Sequence, residues 1–238
     1  MSEYNTTSFI NELDKLHITL TEHQIHQFLT YYELLVEKNK VMNLTSITEF
    51  QEVVEKHFLD SVSLARVVDL SQPLSLMDMG TGAGFPGIPL KIVFPELKVT
   101  LSDSLNKRVL FLQEVIGELD IKDICAVHGR AEDLAKMQEY RETFDLCVSR
   151  AVANLSTLSE YCLPFVKIGG QFISYKSGSC EEEVEQAKSA VFLLGGKISK
   201  VYKFELGESG RSFIMIDKKS GSPKKYPRKA GTPSRNPL

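Results

Sequence analysis

The residues best suited to chemistry lie in one glycine-rich stretch, residues 77–87, with the sequence MDMGTGAGFPG. An apolar strand pattern precedes this stretch and a helical pattern follows it. At such a junction, free backbone N–H groups and the positive end of a helix dipole face a ligand. Gly80, Gly82 and Gly84 lack a Cβ atom, so the backbone can approach a flat or bulky ligand closely. The stretch therefore predicts a ligand-binding loop.

Two classes of cofactor fit this loop. Residues 82–87 match the dinucleotide fingerprint G-x-G-x-x-G, and Asp103 lies 19 residues beyond Gly84, where a ribose-binding acid is expected. Asp78 favours S-adenosylmethionine instead, because a carboxylate attracts its ammonium and sulfonium groups but repels a pyrophosphate. The pattern acid-x-G-x-G-x-G that begins at Asp78 is similar to the signature of S-adenosylmethionine-dependent methyltransferases. The sequence therefore favours a methyltransferase over a dinucleotide-binding protein.

Further cofactor contacts are expected outside the glycines. Asp103 ends the second predicted strand and is expected to bind the ribose, with capping of the helix that begins near Leu105 as the alternative. Ala131 and Glu132 follow the third strand, where such enzymes seat adenine; packing or capping is the alternative for both. Phe85 lies inside the loop, where it is expected to contact the ligand unless it belongs to the core.

Two cations and one histidine are candidates for contact with the substrate. Arg150 ends the fourth predicted strand and Lys176 follows the fifth, and ligands of parallel sheets bind at these carboxyl ends. His57 is the histidine of interest among the five in the chain. No spacing of ligand residues indicates a metal site, and no Ser-His-Asp arrangement is apparent.

The elements that must position these residues change in character near Pro73. Before it, apolar residues recur at helical spacing over residues 21–38, and a second helical stretch runs over about 49–68. After it, short apolar runs alternate with helical stretches, which is typical of βαβ units and a mainly parallel sheet. The expected fold is α/β: a Rossmann-like class I methyltransferase domain (residues 71–217) with a helical N-terminal cap (residues 1–70).

The remaining segment, residues 218–238, is expected to be a loose basic tail. It contains seven of the 28 lysine and arginine residues and no acid, although the net charge of the chain is −3. Such tails commonly bind nucleic acid through phosphate contacts, and a solvated terminus is the alternative. If the tail binds RNA, its deletion should weaken RNA binding and leave cofactor affinity intact.

Composition limits the class of protein. With 42% hydrophobic and 25% charged residues the chain has ordinary globular composition. No apolar run approaches the roughly 20 residues that a membrane span needs. The four cysteines are scattered without a C-x-x-C pair, which indicates a reduced, cytoplasmic protein.

The fourth predicted strand also limits the acceptor. It ends in Ser149-Arg150-Ala151-Val152 and lacks the Asp/Asn-Pro-Pro-aromatic motif of amino-group methyltransferases. None of the cysteines lies in the Pro-Cys setting that pyrimidine C5 methylation requires. An acceptor that attacks directly with a lone pair remains, and guanine N7 is such an atom because it carries no proton. Catalysis would then consist of holding the two reactants in line, without a general base.

Taken together, these motifs resemble the glucose-inhibited division protein B family, bacterial methyltransferases that modify a guanine at N7 in small-subunit (16S) ribosomal RNA. The resemblance extends over most of the chain and includes the basic tail. The stretches that carry it are residues 43–47 (NLTSI), 56–61 (KHFLDS), 80–86 (GTGAGFP), 103–108 (DSLNKR), 130–133 (RAED), 149–153 (SRAVA) and 223–233 (PKKYPRKAGTP).

The resemblance implies a cofactor, a substrate and a set of site residues. The substrate would be 16S ribosomal RNA, free or in the small subunit, and the tail from Lys218 to Arg235 would contact it. Asn43, His57, Asp60 and Ser61 would lie at the mouth of the site. Arg150, Lys176, His57 and Asn43 are then the candidate substrate contacts. S-adenosylmethionine would be bound by Gly80, Phe85, Asp103, Ser104, Leu105, Ala131, Glu132 and Arg150.

Two alternatives remain open at this point. One is methylation of a different RNA base by the same class of enzyme. The other is an RNA-binding ribosome-assembly factor whose cofactor site is vestigial, although a complete glycine loop with both Asp103 and Glu132 argues against it.

Overall fold

The computed structural model describes residues 4–150 and 153–238. Ala151 and Val152, which belong to the stretch that follows the fourth strand, lie outside the described residues.

The N-terminal region is helical, as predicted. Thr21 caps helix α2 through a complete capping box: its hydroxyl accepts from the Gln24 N–H, and the Gln24 side chain accepts from the Thr21 N–H. A later helical stretch includes a π-helical section that carries His57, and such sections are frequent at functional sites. The bounds are α1 (Thr7–Asp14), α2 (Glu22–Met42), α3 (Phe50–Val53), the π-helical section Val54–Leu59, α4 (Asp60–Val62) and a 3₁₀ turn (Ser63–Arg66).

A seven-stranded sheet forms the centre of the molecule. Its strands are β1 (Ser75–Met79), β2 (Lys98–Asp103), β3 (Ile124–His128), β4 (Phe144–Arg150), β5 (Val166–Ser177), β6 (Gly196–Leu206) and β7 (Ser209–Lys218). The order is β3-β2-β1-β4-β5-β7-β6; the first five strands are parallel, whereas β7 runs antiparallel to both β5 and β6. From β1 the chain continues to β2 on one side, and after β3 it crosses to β4 on the other side of β1. A crevice therefore opens at the carboxyl ends of these strands.

Helices cover both faces of the sheet and define two apolar clusters. On one face, α2 and the π-helical section contribute Phe28, Tyr31 and Phe58 to the same cluster as Leu101 of β2. The N-terminal cap therefore shares its core with the sheet. The second cluster packs against the other face. The remaining helices are α5 (Gly87–Val93), α6 (Asn106–Glu118), α7 (Ala131–Leu134), α8 (Leu155–Cys162), α9 (Glu181–Leu193) and α10 (Thr232–Arg235), with a 3₁₀ turn at Leu163–Phe165.

The expectation of a loose C-terminal tail is wrong. Lys218 belongs to β7 and is 1% exposed; its Nζ donates to the Leu163 carbonyl and to Ser222 Oγ, both at 2.6 Å. Arg228 pairs with the fully buried carboxylate of Glu160 at 2.7 Å. Since two of the cations are satisfied inside the protein, the segment packs against the domain. The sequence could not reveal this, because Leu163 and Glu160 lie 55 and 68 positions from Lys218 and Arg228.

Candidate active site

The glycine loop joins β1 to α5 and turns through left-handed backbone. Gly80, Gly82 and Gly84 have φ of 70°, 64° and 108°, a region that favours glycine. At Gly84 a Cβ atom would lie 2.5 Å from Ile88 Cδ1 and 2.6 Å from Tyr31 Oη. Glycine at position 84 is therefore required by packing against the N-terminal cap, whereas the space beside Gly82 is open.

Asp78 holds the glycine loop in place through hydrogen bonds. Its side chain is fully buried, and Oδ2 accepts from Thr81 Oγ1 at 2.7 Å and from the Gly87 N–H at 2.8 Å. Burial raises the pKa of this carboxyl to about 6, against the opposing effect of these two hydrogen bonds. Within the described part of the chain Oδ1 has no hydrogen-bond partner. The acid that the sequence singled out thus fixes the loop and leaves one acceptor unused.

Asp103 lies at the end of β2 and holds the segments on either side of it. Its Oδ1 accepts from the Leu105 N–H at 2.9 Å, which is a turn before α6 and not the capping predicted as the alternative, because Leu105 is itself the N-cap residue and α6 has no side-chain cap bond. Its Oδ2 accepts from the Gly82 N–H at 3.1 Å and from Arg108 Nη1 at 3.3 Å. Asp103 therefore ties the glycine loop to the end of β2 while it faces the cavity described next.

A cavity of about 260 Å³ lies at the carboxyl ends of β1, β2 and β3. Of the predicted cofactor residues, Gly80, Asp103, Ser104, Ala131 and Glu132 line it. Gly82, Gly84, Phe85, Leu105 and Arg150 are not part of this lining. The full lining is Met79, Gly80, Ser102, Asp103, Ser104, Gly129, Arg130, Ala131, Glu132, Ala153, Tyr161, Gly231 and Ser234.

The donors and acceptors of this cavity suit S-adenosylmethionine. The carboxylates of Asp103 and Glu132 suit ribose hydroxyls and a cationic ligand, and both would repel a pyrophosphate. Ser102 is 1% exposed and its Oγ has no partner among the residues described, so a polar group of the lining remains available to a ligand.

Glu132 contacts the C-terminal segment, a neighbour that the sequence did not predict. The side chain is 4% exposed and its Oε1 accepts from the Gly231 N–H at 2.8 Å, so it holds the C-terminal segment. The lining also includes three residues that the sequence did not predict: Gly231, Ser234 and Tyr161. Gly231 lies about a hundred positions from Glu132, and no local pattern connects them.

A second cavity, of about 480 Å³, lies between the N-terminal cap and the other half of the sheet. Three of the four candidate substrate residues, Arg150, Lys176 and His57, line it, and so does Asp60. Asn43 does not; it ends α2 in a left-handed conformation with φ of 50°. Ser61 is fully buried and also lies outside the lining. The lining comprises Ile47, Lys56, His57, Asp60, Arg150, Tyr175, Lys176, Ser177, Phe204, Arg211, Ser212 and Phe213.

Asp60 holds two arginines at this second cavity. Its Oδ2 accepts from Arg150 Nη1 at 2.8 Å, and its Oδ1 accepts from Arg211 Nε at 2.9 Å. The Arg150 guanidinium also lies over the Phe85 ring, 5.1 Å from its centroid.

One carboxylate and four lysine or arginine residues line the second cavity. Lys56 and Lys176 also pair with Glu52 and Glu183 outside the lining. The positive charge is therefore partly balanced, and the excess of cations at the lining itself favours an anionic ligand. Arg211 was missed because it lies on β7, far from every recognised motif.

His57 is an uncharged member of this lining. Its ring stacks on Phe85 with centroids 4.6 Å apart. Burial, followed by the charge of Arg150, lowers the pKa of His57 to about 4. Both ring nitrogens are engaged, Nε2 with Thr45 Oγ1 at 2.9 Å and Nδ1 with the Lys56 carbonyl at 3.0 Å.

The two cavities adjoin each other. Lys176, which lines the second, donates from Nζ to the Ala153 carbonyl at 3.0 Å, and Ala153 lines the first. The same Nζ contacts Glu183 Oε1 at 2.6 Å, which fixes the lysine in place. Two further findings concern the described residues only: no cluster of three or more His, Cys, Asp or Glu is placed to hold a metal, and no helix is long and apolar enough to cross a membrane.

Solved structures share this fold. A SAM-dependent methyltransferase from Aquifex aeolicus matches with a TM-score of 0.54 and 18% identity, covering 73% of this chain and 96% of that one. M. jannaschii TYW2 in complex with AdoMet matches with a TM-score of 0.57 and 15% identity, covering 73% and 79%. At such identities the likeness concerns the fold alone. The sheet order and the glycine loop with its cavity define the class, that of Rossmann-like S-adenosylmethionine-dependent methyltransferases.

A family model for GidB, described as rRNA small subunit methyltransferase G, matches residues 24–212. The chain belongs to this family, which confirms the resemblance predicted from the motifs. The ribosomal RNA small subunit methyltransferase G of Lachnoclostridium phytofermentans is 52% identical over 236 residues, 98% of either chain. The protein of that name from Staphylococcus aureus (strain Newman) is 53% identical over 229 residues, 95% of either chain.

Proposed function

We propose that this enzyme transfers a methyl group from S-adenosylmethionine to N7 of a guanine in 16S ribosomal RNA, free or assembled in the small subunit, in the cytoplasm. The observation that carries the proposal is the pair of adjoining cavities at the carboxyl edge of the sheet. One is lined by the glycine loop and two carboxylates, and the other is lined by cations. Lys176 and Ala153 connect them.

The second cavity suits an acceptor that loses no proton. When bound, S-adenosylmethionine supplies an electrophilic methyl group on a sulfonium. The two side chains that could serve as a base are both engaged: His57 through its two ring nitrogens and Asp60 through two guanidinium groups. Guanine N7 attacks with its own lone pair, so the chain needs only to hold the base in line with the methyl group. In this proposal Arg150 and Arg211 orient the nucleotide.

Cations on the C-terminal segment supply a second contact with RNA. Lys224, Lys225, Lys229 and Arg235 are exposed, unlike Lys218 and Arg228, which are paired inside the protein. Phosphate contacts of this kind position a protein on RNA without reading its sequence.

The test is methyl transfer from labelled S-adenosylmethionine to small ribosomal subunits from cells that lack this enzyme. We expect label at one guanine, detected as chain cleavage specific for 7-methylguanine. Arg211→Ala should lower the transfer rate at least tenfold without changing cofactor affinity. Lys203→Ala, an exposed change on β6, is the matched control and should transfer normally.

Other outcomes would contradict the proposal in distinct ways. Label on a ribose 2′-oxygen or an exocyclic amine would refute the base-free mechanism. Cofactor binding without transfer to free RNA, subunits or assembly intermediates would favour the assembly-factor alternative.

A further inference from the structure

The segment after β7 forms part of the first cavity. Gly231 and Ser234 line it together with residues at the ends of β1 and β2. We propose that residues 226–238, here called the C-terminal wall, are a working part of the cofactor site, so that docking of this wall and binding of the cofactor strengthen each other. This inference rests on the proposed assignment of the first cavity to S-adenosylmethionine.

The strongest anchor of the C-terminal wall is Arg228. It meets both oxygens of the fully buried Glu160, with Nε 3.0 Å from Oε1 and Nη2 2.7 Å from Oε2. Its own N–H donates to Oε1 at 2.7 Å. Such two-point pairing of guanidinium and carboxylate is strong and strongly oriented. Arg228 Nη2 also donates to the Asn236 carbonyl at 2.8 Å, which closes the segment on itself.

The other anchors belong to elements that border the cavity. Glu132, on α7, accepts from the Gly231 N–H at 2.8 Å. Thr157, on α8, donates from Oγ1 to the Pro233 carbonyl at 3.1 Å. Gly231 adopts φ of 78°, which lets the chain turn beside Glu132. The wall is thus fastened to the residues after β3, where the adenine is expected, and to α8 beside Tyr161.

These contacts make the wall and the cofactor interdependent. If the wall undocks, the buried carboxylates of Glu132 and Glu160 lose their partners Gly231 and Arg228. The cavity then also loses Gly231 and Ser234 from its lining. A ligand that touches the docked wall binds the docked state more tightly and therefore increases its population. Coupling of this kind is reciprocal, so a loosened wall must weaken cofactor binding by the same factor. Deletion of residues 218–238 should therefore weaken cofactor binding, which replaces the expectation from the sequence that it leaves cofactor affinity intact.

The decisive comparison is between two neighbouring cations. Arg228→Ala removes the buried pair, whereas Lys229→Ala removes an equal charge from an exposed side chain. Isothermal titration calorimetry with S-adenosylmethionine should give at least tenfold weaker affinity for Arg228→Ala and a change of less than twofold for Lys229→Ala. Equal affinities in both variants and the unaltered protein would overturn the proposal.

A second measurement uses the unaltered protein and so does not depend on the folding of a variant. Trypsin needs an extended backbone in its active site, so cleavage after Arg228 or Lys229, inside the wall, requires the wall to leave its docked position. Saturating S-adenosylmethionine should slow this cleavage at least fivefold, while cleavage after the exposed Lys15, near the N-terminus, should be unaffected. Unchanged cleavage despite demonstrated binding would refute the coupling, whereas absence of binding to the unaltered protein would instead refute the proposed function.

Discussion

At the scale of single residues, the second cavity contains a histidine that its surroundings keep neutral. His57 stacks on the Phe85 ring, and its Nδ1 lies 3.3 Å from Arg150 Nη2, so protonating it would place a second cation beside Arg150 in a poorly solvated position. Its pKa in the folded protein is about 4, below its ordinary value of 6.5. Near neutral pH, His57 therefore contributes shape and hydrogen bonding but no charge.

This lowered pKa predicts a pH dependence of stability. Because the unfolded chain binds the proton more tightly, the contribution of His57 is complete above pH 6.5 and is lost as pH falls through about 4. The shift corresponds to about 3 kcal/mol of unfolding free energy. His57→Phe keeps the ring stack but does not titrate, so its unfolding free energy should fall less between pH 7 and pH 4. Urea unfolding of both proteins measures this, and parallel pH profiles would contradict the argument.

At the scale of elements, helix α2 supports the glycine loop directly. Tyr31 is fully buried, and its hydroxyl donates to the Ala83 carbonyl at 2.6 Å. The same hydroxyl occupies the space that a side chain at position 84 would need. The conformation of the loop therefore depends on a helix of the N-terminal cap as well as on its own glycines.

Two tyrosines of α2 allow this dependence to be tested. Tyr31→Phe removes the bond to Ala83, and Tyr32→Phe removes a similar bond from Tyr32 to the Thr48 carbonyl at 2.9 Å, away from the loop. Each change should lower the unfolding free energy by about 1–2 kcal/mol. Only Tyr31→Phe should also weaken S-adenosylmethionine binding, by several-fold in calorimetry. Equal cofactor affinities in the two variants would show that α2 does not control the loop.

At the scale of the whole molecule, charge is separated between surfaces. The chain as a whole has a net charge of −3, yet exposed cations are concentrated on the C-terminal segment. The inner side of that segment is used for packing, so only its outer side remains for phosphate contacts. The second cavity adds four further cations near the edge of the sheet.

This separation predicts how RNA affinity depends on salt. Replacing Lys224, Lys225 and Lys229 together by alanine removes three exposed charges, so the slope of log affinity against log salt should flatten by about 2–3. Cofactor affinity should stay the same, because all three side chains are exposed and none of them lines the first cavity. Filter binding of a 16S RNA fragment at several salt concentrations between about 50 and 200 mM is a suitable assay. An unchanged slope would mean that the segment has no RNA contact.

Much of the fold and part of the candidate site followed from local patterns. Helical spacing over residues 21–38 predicted α2, and the glycine loop predicted a ligand site at the ends of the strands, where the first cavity lies. Asp103, Ser104 and Glu132 lie in that cavity because residues that end parallel strands meet at the same edge. These features depend on interactions between near neighbours in sequence, which is why a local sequence pattern predicts them.

Only the tertiary structure decided which residues, distant in sequence, complete the two cavities. Arg228 has the residue type of an RNA-binding tail, but its partner Glu160 lies 68 positions away, and Arg211 meets Asp60 across 151 positions. No periodicity links such pairs, since they are brought together by the order of strands in the sheet. The sequence by itself thus determined the family, the cofactor loop and the parallel sheet. Packing of distant segments determined which cations are buried, which remain free for RNA, and which residues close the cofactor cavity.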